Sequence, residues 1–357
     1  MFGIALTLAL AIPAATPPPV DVARPPPAET VFAIPDELRE NFNRQVLSRT
    51  RSREQRLYKL VEYLIEPSGL GLKYKSNATL TVGESYRNRE VNCMAFTMLA
   101  LALAREAGLP AYPQQIDRVM AWSLSGNVVT QSLHANAVII AGDRKHMVDI
   151  AGGNFVAPVV DYKISDSHFL ALFYGNRAME LFSEGHVEDA LLWQQEALKH
   201  ETGDASLWNN AGVLYQRLGD SAAAEASFLK AVQLNSRLGS TVSNLVAFYE
   251  ARGSSAKAAF WQARADRILR SDPYFQFTEA RRYEEVGNLD VAVSRYRRAV
   301  SLNREEPVFH FFLARAYYKL GRLRDAKAEM RFAAALSNQT DRVRYQSKLE
   351  ALQRMKP

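Results

Sequence analysis

The chain has 357 residues, 48% of them apolar and 23% charged, a globular composition with room for two or three domains. Its 44 basic and 38 acidic residues leave a net charge of +6, with 17 basic against 11 acidic in residues 271–357, an excess too small and diffuse for a nucleic-acid partner. No apolar run reaches bilayer length, which excludes an integral membrane span, and a single cysteine excludes both an internal disulfide framework and a cysteine-built zinc site.

Residues 1–15, MFGIALTLALAIPAA, have the length of the apolar region of a secretory signal and are too short to cross a bilayer. Thr16 to Pro27 is proline-rich, and residues 16–35 read as an extended linker. The pair predicts an exported protein, periplasmic in a bacterium. No basic residue precedes Arg24, and without a true signal the protein stays in the cytoplasm. An unpaired thiol in an oxidising compartment points to use.

Residues 36–70 carry apolar side chains at helical spacing and predict a helical segment. Tyr86 to Ala111 predicts a second helix, beginning near Cys93 and ending at Gly108 with Pro110 beyond it. Cys93 then occupies the first turn, where unpaired backbone N–H groups and the helix dipole favour a thiolate, and Arg87 and Arg89 add to that field. Ser132 to Ala141 and His146 to Ala151 predict two strands around a Gly142–Asp143 turn, which brings His134 and Asp149 together across the ladder. His146 is the other candidate base, but three residues from Asp149 it points to the opposite face.

Cysteine at a helix start, histidine on one strand and aspartate on the next suit acyl transfer. The thiolate attacks a carbonyl, the imidazole moves the proton and the carboxylate holds the ring. Backbone N–H groups at Cys93 and Met94 would face the oxyanion, with Asn92 a candidate second donor. The motif Asn92–Cys93, the run Leu103-Ala104-Arg105-Glu106-Ala107-Gly108-Leu109-Pro110-Ala111, His134 and Asp149 together resemble the transglutaminase-like superfamily, relatives of papain-type thiol peptidases, over residues 40–165. The resemblance implies a papain-like α+β domain over 36–165, with Cys93 as nucleophile, His134 as base and Asp149 as orienting acid. Asn136 stands where the family often has tryptophan, and Ile150 where it often has proline.

The remainder is periodic. Gly185, Gly219, Gly253, Gly287 and Gly321 are 34 residues apart. Alanine follows each glycine after five residues (Ala190, Ala224, Ala258, Ala292, Ala326) and again after seven more (Ala197, Ala231, Ala265, Ala299, Ala333). Leu181, Tyr215, Tyr249, Tyr283 and Tyr317 lie four before it. Paired helices explain the columns: glycine ends one helix, small residues let two helices approach, and tyrosines fill the gaps. The pattern resembles the tetratricopeptide repeat (TPR) family. It implies an all-α solenoid of five units, 171–204, 205–238, 239–272, 273–306 and 307–340, with 341–357 as a capping helix. In the family register Tyr274, Phe277, Arg281, Glu284, Phe311, Arg315 and Tyr318 line the concave groove, where a protein or peptide partner binds. The same residues could otherwise pack against the neighbouring repeat.

No zinc-protease, phosphate-loop or dinucleotide motif occurs, so no metal and no cofactor is expected. The sequence thus predicts a thiol-dependent amide hydrolase or acyltransferase joined to a partner-binding solenoid. The alternative is a non-enzymatic TPR scaffold whose first domain is structural. His168, His186, His200 and His310 fit helix or loop surface.

Overall fold

A computed structural model describes residues 24–125, 128–150, 156–157, 163–337 and 339–354. The signal-like segment 1–15 lies outside these residues. The single turn α1 (Ala28–Val31) buries Val31. Phe32 packs 6.2 Å from Phe169, and the Tyr174 hydroxyl donates to the Pro26 carbonyl at 2.7 Å. Residues 24–35 therefore lie on the body of the protein instead of forming a free linker, because their apolar groups find partners there.

Two helices, α2 (Asp36–Gln45) and α3 (Arg53–Ile65), replace one continuous segment over 36–70. Between them runs a 3-10 turn over Leu47–Arg49 and an extended Thr50. Ser52 then caps α3 reciprocally with Gln55. The hydrophobic spacing continues through the break, so the cap sets the boundary. Two short strands follow, β1 (Lys73–Tyr74) and β2 (Glu90–Val91), paired in parallel with Tyr74 opposite Val91. Between them α4 (Val82–Asn88) ends on Arg89, a non-glycine residue in the left-handed region at φ 57°. That conformation costs roughly 1–2 kcal/mol. The Arg89 guanidinium stacks 4.8 Å over the Tyr86 ring, and its carbonyl accepts from Lys73 N at 2.9 Å.

At the centre of this part stands α5 (Cys93–Glu106), buried at every residue from Met94 to Ala104. A helix apolar on all sides must be enclosed by other elements. It is closed off by Gly108 at φ 70°. An antiparallel sheet packs against it in the order β3 (Ala111–Ser125), β4 (Val128–Ala141), β5 (Arg144–Val148) and β6 (Val156–Ala157). Gly142 and Asp143 turn β4 into β5. β3 and β6 are additions to the two strands read from the sequence.

Five helix pairs follow: α6 (Asp166–Glu184) with α7 (Val187–His200), α8 (Ala205–Arg217) with α9 (Ser221–Leu234), α10 (Gly239–Ala251) with α11 (Ser255–Ile268), α12 (Pro273–Glu285) with α13 (Leu289–Leu302), and α14 (Pro307–Lys319) with α15 (Leu323–Leu336). A final helix, α16 (Gln339–Arg354), packs on α15. The first helix of the array begins at Asp166, upstream of position 171. Each pair turns on its periodic glycine, with φ between 68° and 93°. A Cβ there would meet nothing within 4 Å, so the backbone angle selects glycine, not space. Gly212 is the opposite case: a Cβ would lie 2.5 Å from the Phe228 ring.

Three apolar clusters result. One joins α8–α12 through residues such as Phe228, Phe248 and Trp261, and another joins α12–α16. The third runs from Val31 through α5 and on through Phe173, Tyr174 and Trp193 to Leu214. The first helix pair therefore shares its core with the N-terminal part.

Candidate functional site

Cys93 is half-buried at the first position of α5. Asn92 caps this helix, its Oδ1 accepting from Ala95 N at 2.9 Å. One turn on, Thr97 donates to the Ala135 carbonyl at 3.0 Å. Residues four apart share a helix face, so the Cys93 face lies alongside the stretch of β4 that holds His134. The backbone of His134 pairs with Ile116 on β3; its side chain lies outside the described residues. Asp149 follows Val148, the partner of Ala137. Continued by one residue, that register sets Asp149 beside Asn136 and diagonal to position 134. On β5, His146 pairs with Ile139 of β4.

Tyr74 belongs to the same place, which the sequence did not reveal. Partial burial, and after it the charges of Cys93 and Asp149, hold the Tyr74 phenol above its ordinary pKa. Both groups are therefore within electrostatic reach of one exposed hydroxyl. Asn136 is fully buried with neither amide atom hydrogen-bonded. A buried polar group left unpaired costs about 1–3 kcal/mol.

Asn92 is not free to serve an oxyanion. It is 2% exposed, and its Nδ2 donates to Thr79 Oγ1 at 2.7 Å and towards Glu180 Oε1 at 3.5 Å. Thr79 in turn donates to Glu180 Oε1 and accepts from Asn176 Nδ2 at 2.6 Å. Arg177 holds the other Glu180 oxygen at 2.9 Å. Burial pushes the Glu180 carboxyl above its usual range, with the Thr79 and Arg177 bonds opposing. Glu180 and Asn176 sit on α6, so the start of the cysteine helix is hydrogen-bonded to the first helix of the array. A bidentate pair, Arg105 to Asp166 at 2.8 Å for each bond, ties the far end of α5 to α6 as well.

Of the residues assigned to the concave groove, Phe277 and Glu284 are buried and Tyr274, Arg281, Phe311 and Arg315 are half-buried. Phe277 is 1% exposed, with ring centroids 5.1 Å from Phe309 and Phe312 and 5.7 Å from Tyr296. Glu284 is also buried. It accepts from Arg315 Nε and Nη2 at 2.9 and 2.7 Å, from the Tyr296 hydroxyl at 2.7 Å and from Lys319 at 2.9 Å. Burial raises its pKa, but these donors outweigh it and leave the carboxyl below the usual range. Arg315 and Arg281 lie 4.2 and 5.4 Å over the Phe312 ring. Phe311 stacks on Tyr345 of α16 at 5.0 Å, and the Tyr274 hydroxyl donates to Glu306 at 3.1 Å. Of the seven, Tyr318 alone is exposed. Ala292 and Ala299 of α13 and Ala326 and Ala333 of α15 are buried small residues of the second helices.

Residues 205–237 match the family model of the tetratricopeptide repeat. The chain carries a tetratricopeptide repeat. Solved structures similar to it include a TPR protein of Thermus thermophilus (22% identical, 50% of this chain and 98% of that one, TM-score 0.39). PilF of Pseudomonas aeruginosa (17%, 47% and 77%, 0.38) and PilW, a type IV pilus biogenesis factor (18%, 52% and 86%, 0.38), are others. No curated protein matches the chain in sequence.

Two histidines of the TPR array are more enclosed than a surface position. His310 is 5% exposed, its Nδ1 2.6 Å from Glu329 and its Nε2 3.0 Å from the Arg304 carbonyl. His168 Nε2 is 2.9 Å from Asp204. Among the described residues no helix is long and apolar enough to cross a membrane, and no three His, Cys, Asp or Glu side chains cluster as metal ligands.

Proposed function

We propose that the chain is a protein-binding scaffold whose working part is the TPR solenoid. The observation that carries this is the repeated helix pair, turned each time on a left-handed glycine and matched by the repeat family over 205–237. Such stacks present an extended surface along their first helices. In this reading exposed Tyr318 on α14 and half-buried Arg281 on the first helix of the preceding unit contribute to that surface. The test is quantitative cross-linking in cells. Partners captured by the native chain persist with Cys93→Ala and fall away with Tyr318→Ala plus Arg281→Ala. A partner set unchanged by the double variant rejects this surface.

A second reading is favoured by the sulfur's place at a capped helix start, with Tyr74 in electrostatic range of both it and Asp149. In it the N-terminal part is a papain-like, transglutaminase-like domain. Cys93 attacks an amide carbonyl, His134 takes the thiol proton and returns it to the leaving amine, and Asp149 holds the ring. Water or a second amine then releases the acyl group. Thiol alkylation across pH checks it: one thiol with a midpoint below about 8.5, absent in Cys93→Ala and slowed in His134→Ala. Labelling indifferent to His134→Ala removes the assigned base. An exported, periplasmic location belongs to the same reading, and N-terminal sequencing of the mature protein tests it.

A further inference from the structure

Away from the thiol, the turn after α9 and the C-terminal part of α11 line an open pocket of about 530 Å³. Ser236 and Arg237, in the turn after α9, line one side; Arg264, Arg267 and Ile268, in the last turn of α11, line the other. The three α11 residues are spaced to share a face. No acidic side chain is among the lining residues. The neighbouring Asp266 is held elsewhere, by Arg295 at 3.1 Å.

The Arg264 guanidinium is positioned, while Arg237 and Arg267 are exposed. Arg264 Nη2 donates to the Ser236 carbonyl at 3.2 Å, and its plane lies 5.5 Å over the Trp261 ring. Its Nε is buried and has no acceptor. Arg237 N donates to Asn235 Oδ1 at 3.0 Å, which fixes the turn that carries the second arginine. Among the described residues no carboxylate pairs with Arg237, Arg264 or Arg267. Three like charges round one cavity repel, and a buried N–H without an acceptor is costly. One guest offsets the repulsion: an oxyanion, which guanidinium forks engage through paired N–H bonds.

We propose that this cavity binds the phosphoryl group of a ligand larger than phosphate itself. Three positive charges suit a dianion better than a single carboxylate, and the volume is that of a small-molecule site. The phosphoryl group can come from a small phosphate ester or from a phosphorylated residue of a partner.

Calorimetric titration of the full chain separates these. The probes are phenyl phosphate, benzoate, and a phosphoserine peptide beside its unphosphorylated form. Saturable binding is expected for phenyl phosphate or for the phosphopeptide, and whichever is tighter names the source. Benzoate and the plain peptide bind roughly tenfold more weakly or not at all. Arg264→Met and Arg267→Met each weaken binding by a factor of about ten or more, since each removes a charge-assisted contact. Arg237→Ala, in an exposed turn, gives a loss with no risk to the helix packing. No saturable binding by either phosphate, or affinities unchanged in all three variants, overturns the proposal.

Discussion

Asn92 carries more than a cap. Its side chain satisfies Ala95 N, Thr79 and the edge of Glu180 from a position 2% exposed. Asn92→Ala should lower unfolding stability by about 2–3 kcal/mol, more than an exposed cap, because a buried hydroxyl and carboxylate lose a donor. Urea denaturation measures it; a loss below about 1 kcal/mol would mean that water or Asn176 replaces the amide. His168 makes a pH-dependent contribution. The hydrogen bond to Asp204 raises its pKa against the opposing effect of burial. Bonds to His168 and Ser206 hold Asp204 below its ordinary value, although burial pushes the other way. The histidine term is therefore complete below about pH 6.5 and fades as pH rises through its elevated native pKa. The aspartate term is present above about pH 3.9 and fades as pH falls through its depressed value. Thermal midpoints should decline on the alkaline side of about 6.5, and His168→Gln should flatten that decline. An identical profile in the variant would assign the slope elsewhere. At this scale the helix that starts at Cys93 was legible, since Asn92 precedes its apolar run and Gly108 and Pro110 follow it. Glu180 was invisible as a partner because it meets Thr79 across 101 positions. Tyr74 was equally hidden, on a strand of two residues whose pairing no periodicity announces.

Among elements, the helix pairs were the most legible, because the same column of small residues recurs at each 34-residue step. Gly212 gives that column a physical test. Gly212→Ala places a methyl 2.5 Å from Phe228, a ring fully buried and unable to swing away. The expected loss is about 1–3 kcal/mol, from overpacking that outweighs alanine's better helix propensity. A gain in thermal midpoint would show that α8 and α9 separate easily. The sheet was less legible. β3 contains Pro113 and the polar pair Gln114–Gln115, which break the alternation expected of a strand, yet Gln114 is fully buried in the fold. The break between α2 and α3 was missed for the opposite reason: apolar spacing persists where the Ser52 cap intervenes.

For the whole molecule, sequence suggested two modules joined in series, whereas the core crosses between them. Phe169, Phe173 and Tyr174 of α6 are buried with Val31, Phe42 and α5. A fragment of residues 24–165 should therefore fail to give dispersed amide spectra, while 24–204 should fold cooperatively. A well-folded 24–165 would show that α6 only rests on the surface. The other end depends on its cap. Tyr345 of α16 is 2% exposed and stacks on Phe311, so Tyr345→Ala should cost about 2–4 kcal/mol and fray α14 and α15 first, as hydrogen exchange would register. Loss of protection spread evenly over all helices would argue for one cooperative unit instead.

The carboxylate of Glu180 gives this continuity a direction. It belongs to the first repeat, yet it shares its oxygen with the residue that opens the sulfur-bearing helix. The first repeat and the residue that opens the helix of Cys93 are thus joined through a handful of buried polar contacts.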